Sequence, residues 1–393
     1  MRLRRVLLIL LVIGLLLAVV VSRVYTPTEL PQEEKFIREP SYQYITLVSV
    51  GDIMMHNTQI ADGYEAATDS YQFDHFFSDI SPYWEDADFV VGNLETVLAG
   101  EAERFTGYPM FNSPDELAEA LVKAGFDLVS TANNHSLDRF ERGLRRTLDV
   151  LDEAGLIFTG TARSEEERKA VPIVDIEGIK CAFLAYTYGT NGIPIPRGHE
   201  YLVNMIDAPL MKGDIARVRE QGAEVIVVSP HFGREYRSSP DAYQIQTVNT
   251  LVKAGADVIL GSHPHVLQPF EFVEAKTGEG TTNKAAVLYS QGNFISAQKG
   301  LERETSALFF ITIEKELWEQ EIQVTNIEYL PIYTHKYREG GKLRYRVVPI
   351  EASLALYEAG ERGRFTSEDY RILQKAYDHA VGALGEEGLI KTE

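Results

Sequence analysis

Apolar and polar positions alternate along this chain in two periods. Short β-branched or aromatic runs are predicted as strands at residues 44–50, 89–91, 126–130, 157–159, 171–176, 180–186, 225–229 and 258–260. Between them lie segments of helical period. Ser113-Pro114-Asp115-Glu116 reads as a capping box opening a helix that Gly125 stops, residues 142–154 form a basic amphipathic helix with Gly155 behind it, and 241–254 form a third. Strand and helix alternate, which predicts an α/β domain with a largely parallel sheet. Residues 285–290, 307–313 and 322–329 are strands that need no helix between them, and 367–384 reads as a surface helix. The segments Leu121-Val122-Lys123-Ala124-Gly125-Phe126-Asp127 and Leu251-Val252-Lys253-Ala254-Gly255-Ala256-Asp257 correspond closely, each being helix, glycine stop and strand. Common helix-ending chemistry and a repeated βα unit both account for this.

The N-terminal pattern is different. Arg2, Arg4 and Arg5 precede sixteen uncharged apolar residues, 6–21. A basic stub (1–5), an apolar anchor or uncleaved signal (6–22) and a proline-bearing linker (23–43) are expected, followed by a domain at 44–348 and a helical tail at 349–393. This predicts a single-pass cell-membrane protein, its transmembrane helix at the N-terminus and its bulk extracytoplasmic. With 38 basic against 58 acidic residues the net charge is -20, which disfavours nucleic acid as a partner because a phosphate backbone would be repelled. The single Cys181 sits in a predicted strand, so no intrachain disulfide forms and a buried thiol is expected.

Candidate chemistry gathers just beyond the predicted strands. Five loops carry Asp52 with His56, Asn93 with Glu95, Asn134 with His135, His231 with Glu235, and His263 with His265. Ligands of open α/β sheets gather at the carboxyl ends of strands, so five such loops point to one shared site. Oxygen and nitrogen donors without sulfur suit Zn, Mn, Fe or Mg. His56 serves either as a ligand or as a surface loop residue, Glu235 either orients His231 or starts a helix, and Asn293 either points into the site or makes a turn. Arg142, Arg145 and Arg146 either steer a polyanion or form a solvated face. Neither a Gly-x-Ser-x-Gly nucleophile nor a P-loop is present.

Six ordered motifs carry a resemblance. Gly51-Asp52-Ile53-Met54-Met55, Gly92-Asn93-Leu94-Glu95, Ala132-Asn133-Asn134-His135-Ser136-Leu137-Asp138, Ser229-Pro230-His231-Phe232-Gly233-Arg234-Glu235-Tyr236, Gly261-Ser262-His263-Pro264-His265-Val266-Leu267 and Tyr289-Ser290-Gln291-Gly292-Asn293-Phe294 are similar to the successive motifs of the capsule-synthesis CapA/PgsA family. The resemblance implies a four-layer sandwich like that of calcineurin-like metallophosphoesterases, two packed sheets flanked by helices. It also implies a membrane protein of poly-γ-glutamate synthesis and export, with the polyanionic polymer and capsule-synthase membrane subunits as partners. Carried over by position, it places Asp52, Glu95 and His265 on one divalent metal. Glu95 as a bridge, Asn134, His231 and His263 would hold a second, with His135 as general acid and His56, Asn93, Glu235 and Asn293 around them. Two departures stand out: Met54 occupies the position of a histidine ligand, and Asn93 and Glu95 replace two aspartates. A free-standing metal-dependent hydrolase of phosphoester or amide bonds, and a polymer-binding scaffold without turnover, are the competing functions.

Overall fold

In the computed structural model, residues 2–24, 40–278, 280–361 and 364–391 are described. The chain divides into two compact units, Met1–Ser41 and Tyr42–Glu393. In the first, helix α1 (Arg2–Val24) carries the apolar run, whose side chains from Val6 to Val21 are exposed wherever they are large. Among the described residues no helix is long and apolar enough to cross a membrane. Most of the expected linker, residues 25–39, and the side chains of Arg2, Arg4 and Arg5 lie outside the described residues.

The second unit begins with β1 (Tyr42–Ile53), a short α2 (Asn57–Gly63) and the hairpin of β2 (Tyr64–Glu65) and β3 (Ser70–Tyr71). Alternation follows through β4 (Phe89–Leu94), α3 (Glu116–Lys123), β5 (Leu128–Ser130), α4 (Phe140–Ala154) and β6 (Ile157–Thr159). After α5 (Glu165–Lys169) and β7 (Ile173–Ile176) a second set runs through β8 (Ile179–Thr187), α6 (Ala208–Glu220), β9 (Val225–His231), α7 (Ala242–Ala254) and β10 (Val258–Leu260). Strands β11 (Phe270–Lys276), β12 (Thr282–Leu288) and β13 (Asn293–Ile295), α8 (Leu301–Glu304), β14 (Thr305–Glu316), β15 (Ile322–Glu339) and β16 (Lys342–Pro349) complete the sheets. Helices α9 (Ile350–Glu358) and α10 (Ser367–Leu384) end the chain, and α10 buries Leu373, Ala376 and Ala380.

One sheet runs β16-β15-β14-β1-β4-β5-β6, with β13 also on β1; the other runs β11-β12-β10-β9-β8-β7. Each has parallel strands at its heart, β1-β4-β5-β6 and β8-β9-β10-β12. Successive side chains on a strand face opposite ways, and this assigns the layers. Leu47, Phe89 and Leu128 of the first sheet share a core with Phe183, Val227 and Val258 of the second, where the Phe89 and Phe183 rings stack at 4.9 Å. Their neighbours Val48, Val90 and Val129 pack on Leu121 of α3 and Leu148 of α4. On the outer face of the second sheet, Ala182, Ile226 and Ile259 meet Ile215 of α6 and Leu251 of α7. Two packed sheets flanked by helices result, as expected.

The two similar segments occupy equivalent places. Gly125 and Gly255 both have positive φ, and Asp127 and Asp257 each accept the backbone N–H of the neighbouring strand, from Val90 and Ile226, at 2.7 Å. The capping box at Ser113 does not form. Ser113 is buried and its hydroxyl bonds Thr96 Oγ1 at 2.7 Å, while α3 starts after Asp115, which makes no side-chain cap and instead holds Arg146. A tertiary partner has displaced a local one. Cys181 is buried, and burial pushes its thiol up to about 12.

Two glycines allow the backbones at the strand ends to close up. A Cβ at Gly51 would lie 1.9 Å from the Gly292 carbonyl oxygen, and one at Gly261 would lie 2.2 Å from that of Tyr289. Replacing Gly51 by alanine should therefore separate β1 from β13 and cost about 1–3 kcal/mol or more, the range for overpacking a filled interior. Chemical denaturation would show it, and an unchanged midpoint would contradict this close approach.

Candidate metal centre

The parallel strands deliver their loops to one edge. Asp52 lies at the end of β1 in register with Asn93 of β4 and Asn293 of β13, and Glu95 follows directly after β4. His231 ends β9 and bridges to Ser262 in the loop after β10, the loop that carries His263 and His265. Asn134 and His135 follow β5. Both sheets thus contribute to one buried cluster.

Glu95 is at its centre. It is 0% exposed, and no hydrogen-bond donor reaches either oxygen of its carboxylate. Oε1 lies 3.6 Å from His231 Nε2 and 3.8 Å from His265 Nε2. His231 Nε2 is also 2.9 Å from Asn134 Oδ1. Ligand atoms bound at about 2.1 Å to one ion lie roughly 3.0–3.5 Å apart, so these separations suit donors facing a common cation. Three groups bring ligand atoms within 4.8 Å of one another: Glu95 with His231 and His263, Asp52 with Glu95 and His265, and Glu235 with His263 and His265.

Hydrogen bonds fix the rings. His265 Nδ1 faces two acceptors, Asp52 Oδ2 and Asn293 Oδ1, each at 3.0 Å, so its proton sits on Nδ1 and the Nε2 lone pair points toward Glu95. Asn293 is oriented by donating Nδ2 to the Arg303 carbonyl at 2.9 Å. His231 Nδ1 lies 2.9 Å from the Ser262 hydroxyl, which can donate or accept and so serves either tautomer. Asn93 donates to Asp52 Oδ1 at 2.8 Å and accepts from Ser130 Oγ at 2.9 Å.

Burial holds the Glu95 carboxyl well above the usual carboxylate range, and the charges of Asp52, Glu235 and Asp138 add to the effect. Burial also lowers His231 strongly and takes His263 down to about 3, so both imidazoles are neutral donors at neutral pH. A negative cluster of this kind, with an unpaired buried carboxylate and the unpartnered His263 Nδ1, has the donor set that a divalent cation requires.

His135 sits beside the cluster rather than in it. Its Nδ1 is 2.7 Å from Asp138 Oδ2, its ring packs edge-on against Phe111 at 4.7 Å, and Asn191 Nδ2 lies 3.4 Å from both ring nitrogens. His56 stays outside the three groups. Its Nδ1 accepts the Ala297 N–H at 3.3 Å and its ring meets the far side of this region through Phe111, so it does not replace the ligand lost at Met54. Glu235 is exposed and converges with His263 and His265, while Ser262 and Asn93 supply the contacts that orient His231. Arg142, Arg145 and Arg146 pair with Glu103, Glu141 and Asp115, so these cations of α4 are spent on carboxylates of their own chain. Sequence reasoning missed Tyr188 and Asn191, which follow β8; Tyr188 lies 4.6 Å from the His263 ring. The strand was predicted, but the residues directly after it, Tyr188-Gly189-Thr190-Asn191, carry neither imidazole nor carboxylate.

A two-sheet α/β domain with an imidazole and carboxylate cluster at its strand ends is the class of protein that fold and site define. The chain belongs to the bacterial capsule synthesis protein PGA_cap family, which it matches over residues 46–298. It is 29% identical over 281 residues to the capsule biosynthesis protein CapA of Bacillus anthracis, covering 69% of this chain and 64% of that protein. It is 27% identical over 279 residues to the PGA biosynthesis protein CapA of Bacillus subtilis (strain 168), covering 68% and 67%. Each match thus spans about two thirds of the relative's length. Among solved structures, Haemophilus influenzae NAD nucleotidase superposes with a TM-score of 0.47 at 11% identity over 90% of this chain and 65% of that one.

The unpaired Glu95 carboxylate gives a test of the metal-free chain. Its folded-state pKa is raised, so the native state binds more protons than the unfolded chain, and stability falls as pH rises past the ordinary carboxylate range. His231 and His263 act oppositely, since their lowered values cost stability only below their usual range. Glu95→Gln should melt higher than the parent at about pH 8 in chelator, by an amount on the order of 1–3 kcal/mol, and the two should converge toward about pH 4. Adding Mn2+ should raise the parent's melting temperature by clearly more than the variant's. A variant less stable than the metal-free parent at both pH values would contradict the picture.

Proposed function

We propose that the chain acts in the synthesis and export of a poly-γ-glutamate capsule, tethered to the membrane by α1, with its large unit outside the cytoplasm and a divalent-cation site at the strand ends. The observation that carries this reading is the buried, unpartnered carboxylate of Glu95 between two imidazole Nε2 atoms, in a domain of the capsule-synthesis family. Membrane tethering is supported by sixteen uncharged residues with exposed apolar side chains, set behind a basic stretch. Residues that would hold the cation are Glu95, His231 and Asn134, with His263 and His265 at the edge of this set and Asp52 aiming His265. When bound, such an ion polarises a phosphoryl or acyl oxygen and lowers the pKa of coordinated water.

The chain's own residues then suggest hydrolysis as the reaction at this site. His135 Nδ1 rests on the Asp138 carboxylate at 2.7 Å, which fixes the ring so that it can pass a proton to a leaving oxygen or nitrogen. Phe111 fixes the ring from one side and Asn191 from the other. Asp52 and Asn293 orient His265, and Ser262 orients His231. A phosphodiester or γ-glutamyl amide is the substrate class that uses a proton donor next to a cation.

In a strain lacking the gene, the parent chain should restore cell-associated γ-glutamyl polymer and His231→Ala should not, with both proteins present at equal level. Restoration by the variant would overturn the link between site and function. The parent should also stay with membranes through alkaline carbonate extraction, whereas a chain lacking residues 2–24 should be released; release of both would overturn the tether.

A further inference from the structure

Glu235 is the one carboxylate of the cluster that solvent can reach, and the mechanism above leaves it unused. It converges with His263 and His265 so that three ligand atoms lie within 4.8 Å of one another. The His263 side chain is 4% exposed, and its Nδ1 has no hydrogen-bond partner, a donor held in place without anything to bind. Its loop and that of Glu235 are stitched together, since the Tyr236 N–H donates to the Pro264 carbonyl at 2.8 Å. Three non-glycine residues here hold positive φ, Tyr236 (63°), His263 (97°) and His265 (59°). Each such conformation costs about 1–3 kcal/mol, so the surrounding packing must impose it. Meanwhile Asp52 is already committed: Oδ1 accepts from Asn93, and Oδ2 accepts from His265 Nδ1 and faces the His263 N–H at 3.4 Å. With Met54 in place of an imidazole, the inner position beside Asp52 is poor in free donors.

We propose that Glu235, His263 and His265 form an outer, solvent-entered position for a divalent cation of the Mn2+ or Zn2+ class, distinct from the inner position at Glu95 and His231. Glu235 thereby supplies the carboxylate that Asp52, spent on orienting His265, does not. This rests on the reading of the strand-end cluster as a cation site. Glu235 is exposed, so this position is reached from solvent without disturbing the buried layer.

Full-length chain in detergent, stripped with chelator, can be titrated with Mn2+ and followed by calorimetry and by the loss of free-ion electron paramagnetic resonance signal. The parent should take up two ions. Glu235→Gln, an exposed change that should leave the melting temperature of the metal-free chain within a degree or so, should retain the tighter ion and weaken the other at least tenfold. Glu95→Gln should lose the tighter ion. Unchanged affinities and stoichiometry in Glu235→Gln would overturn the outer position while leaving the inner one standing. A parent that binds no ion would overturn the cation reading itself.

Discussion

A buried carboxylate with both oxygens unpaired is among the costliest groups a protein interior can hold. Glu95 is such a group, and much of the molecule bears on it. Asp52 and Asn93 approach from the first sheet, His231 and His265 from the second, and Gly51 and Gly261 let the backbones come close enough for the two sets to meet. The stacked Phe89 and Phe183 rings sit in the core that locks the two sheets together beneath them. Without that packed interior the strand ends would have no fixed distance, and the cluster would have no fixed geometry.

The electrostatic balance of the cluster is lopsided. Glu95, Asp52 and Glu235 bring carboxylates, while burial keeps His231 and His263 neutral, and the paired arginines of α4 lie elsewhere. Protonation of Glu95 is one way to relieve the repulsion, and cation binding is the other. Neutral imidazoles are lone-pair donors, so the burial that makes them poor bases makes them good ligands. The arrangement also divides labour among side chains: Asp52, Asn293 and Ser262 aim rings, while Glu95 and the aimed nitrogens face the space where an ion fits.

His135 and Asp138 form a separate pair, three residues apart on a loop after β5. Their bond fixes an imidazole beside the carboxylate and imidazole cluster without drawing it in. The same loop turns Asn134 the other way, toward His231, so neighbouring residues serve the two parts of the site.

Much of this was legible along the chain. Period-two and period-3.6 patterns marked most strands and helices because each element buries one face, and the polar loops after strands 44–50, 89–91, 126–130, 225–229 and 258–260 marked the side on which chemistry would gather. Local signals failed where tertiary contacts outbid them. Ser113 gave its hydroxyl to Thr96 instead of capping α3, and β11 and β16 were overlooked because their partly exposed, charge-bearing runs lack a continuous apolar signal. Residue identity along the sequence therefore determined the elements, the ligand types and the family. Which ligands meet was decided only in three dimensions. His56 is close to Asp52 in sequence yet lies outside the cluster, whereas Glu235 enters it through a loop whose strained backbone is tied at Tyr236 to the distant Pro264. Distances between loops depend on how two sheets pack and twist against each other, a property of the whole core that no stretch of sequence carries alone.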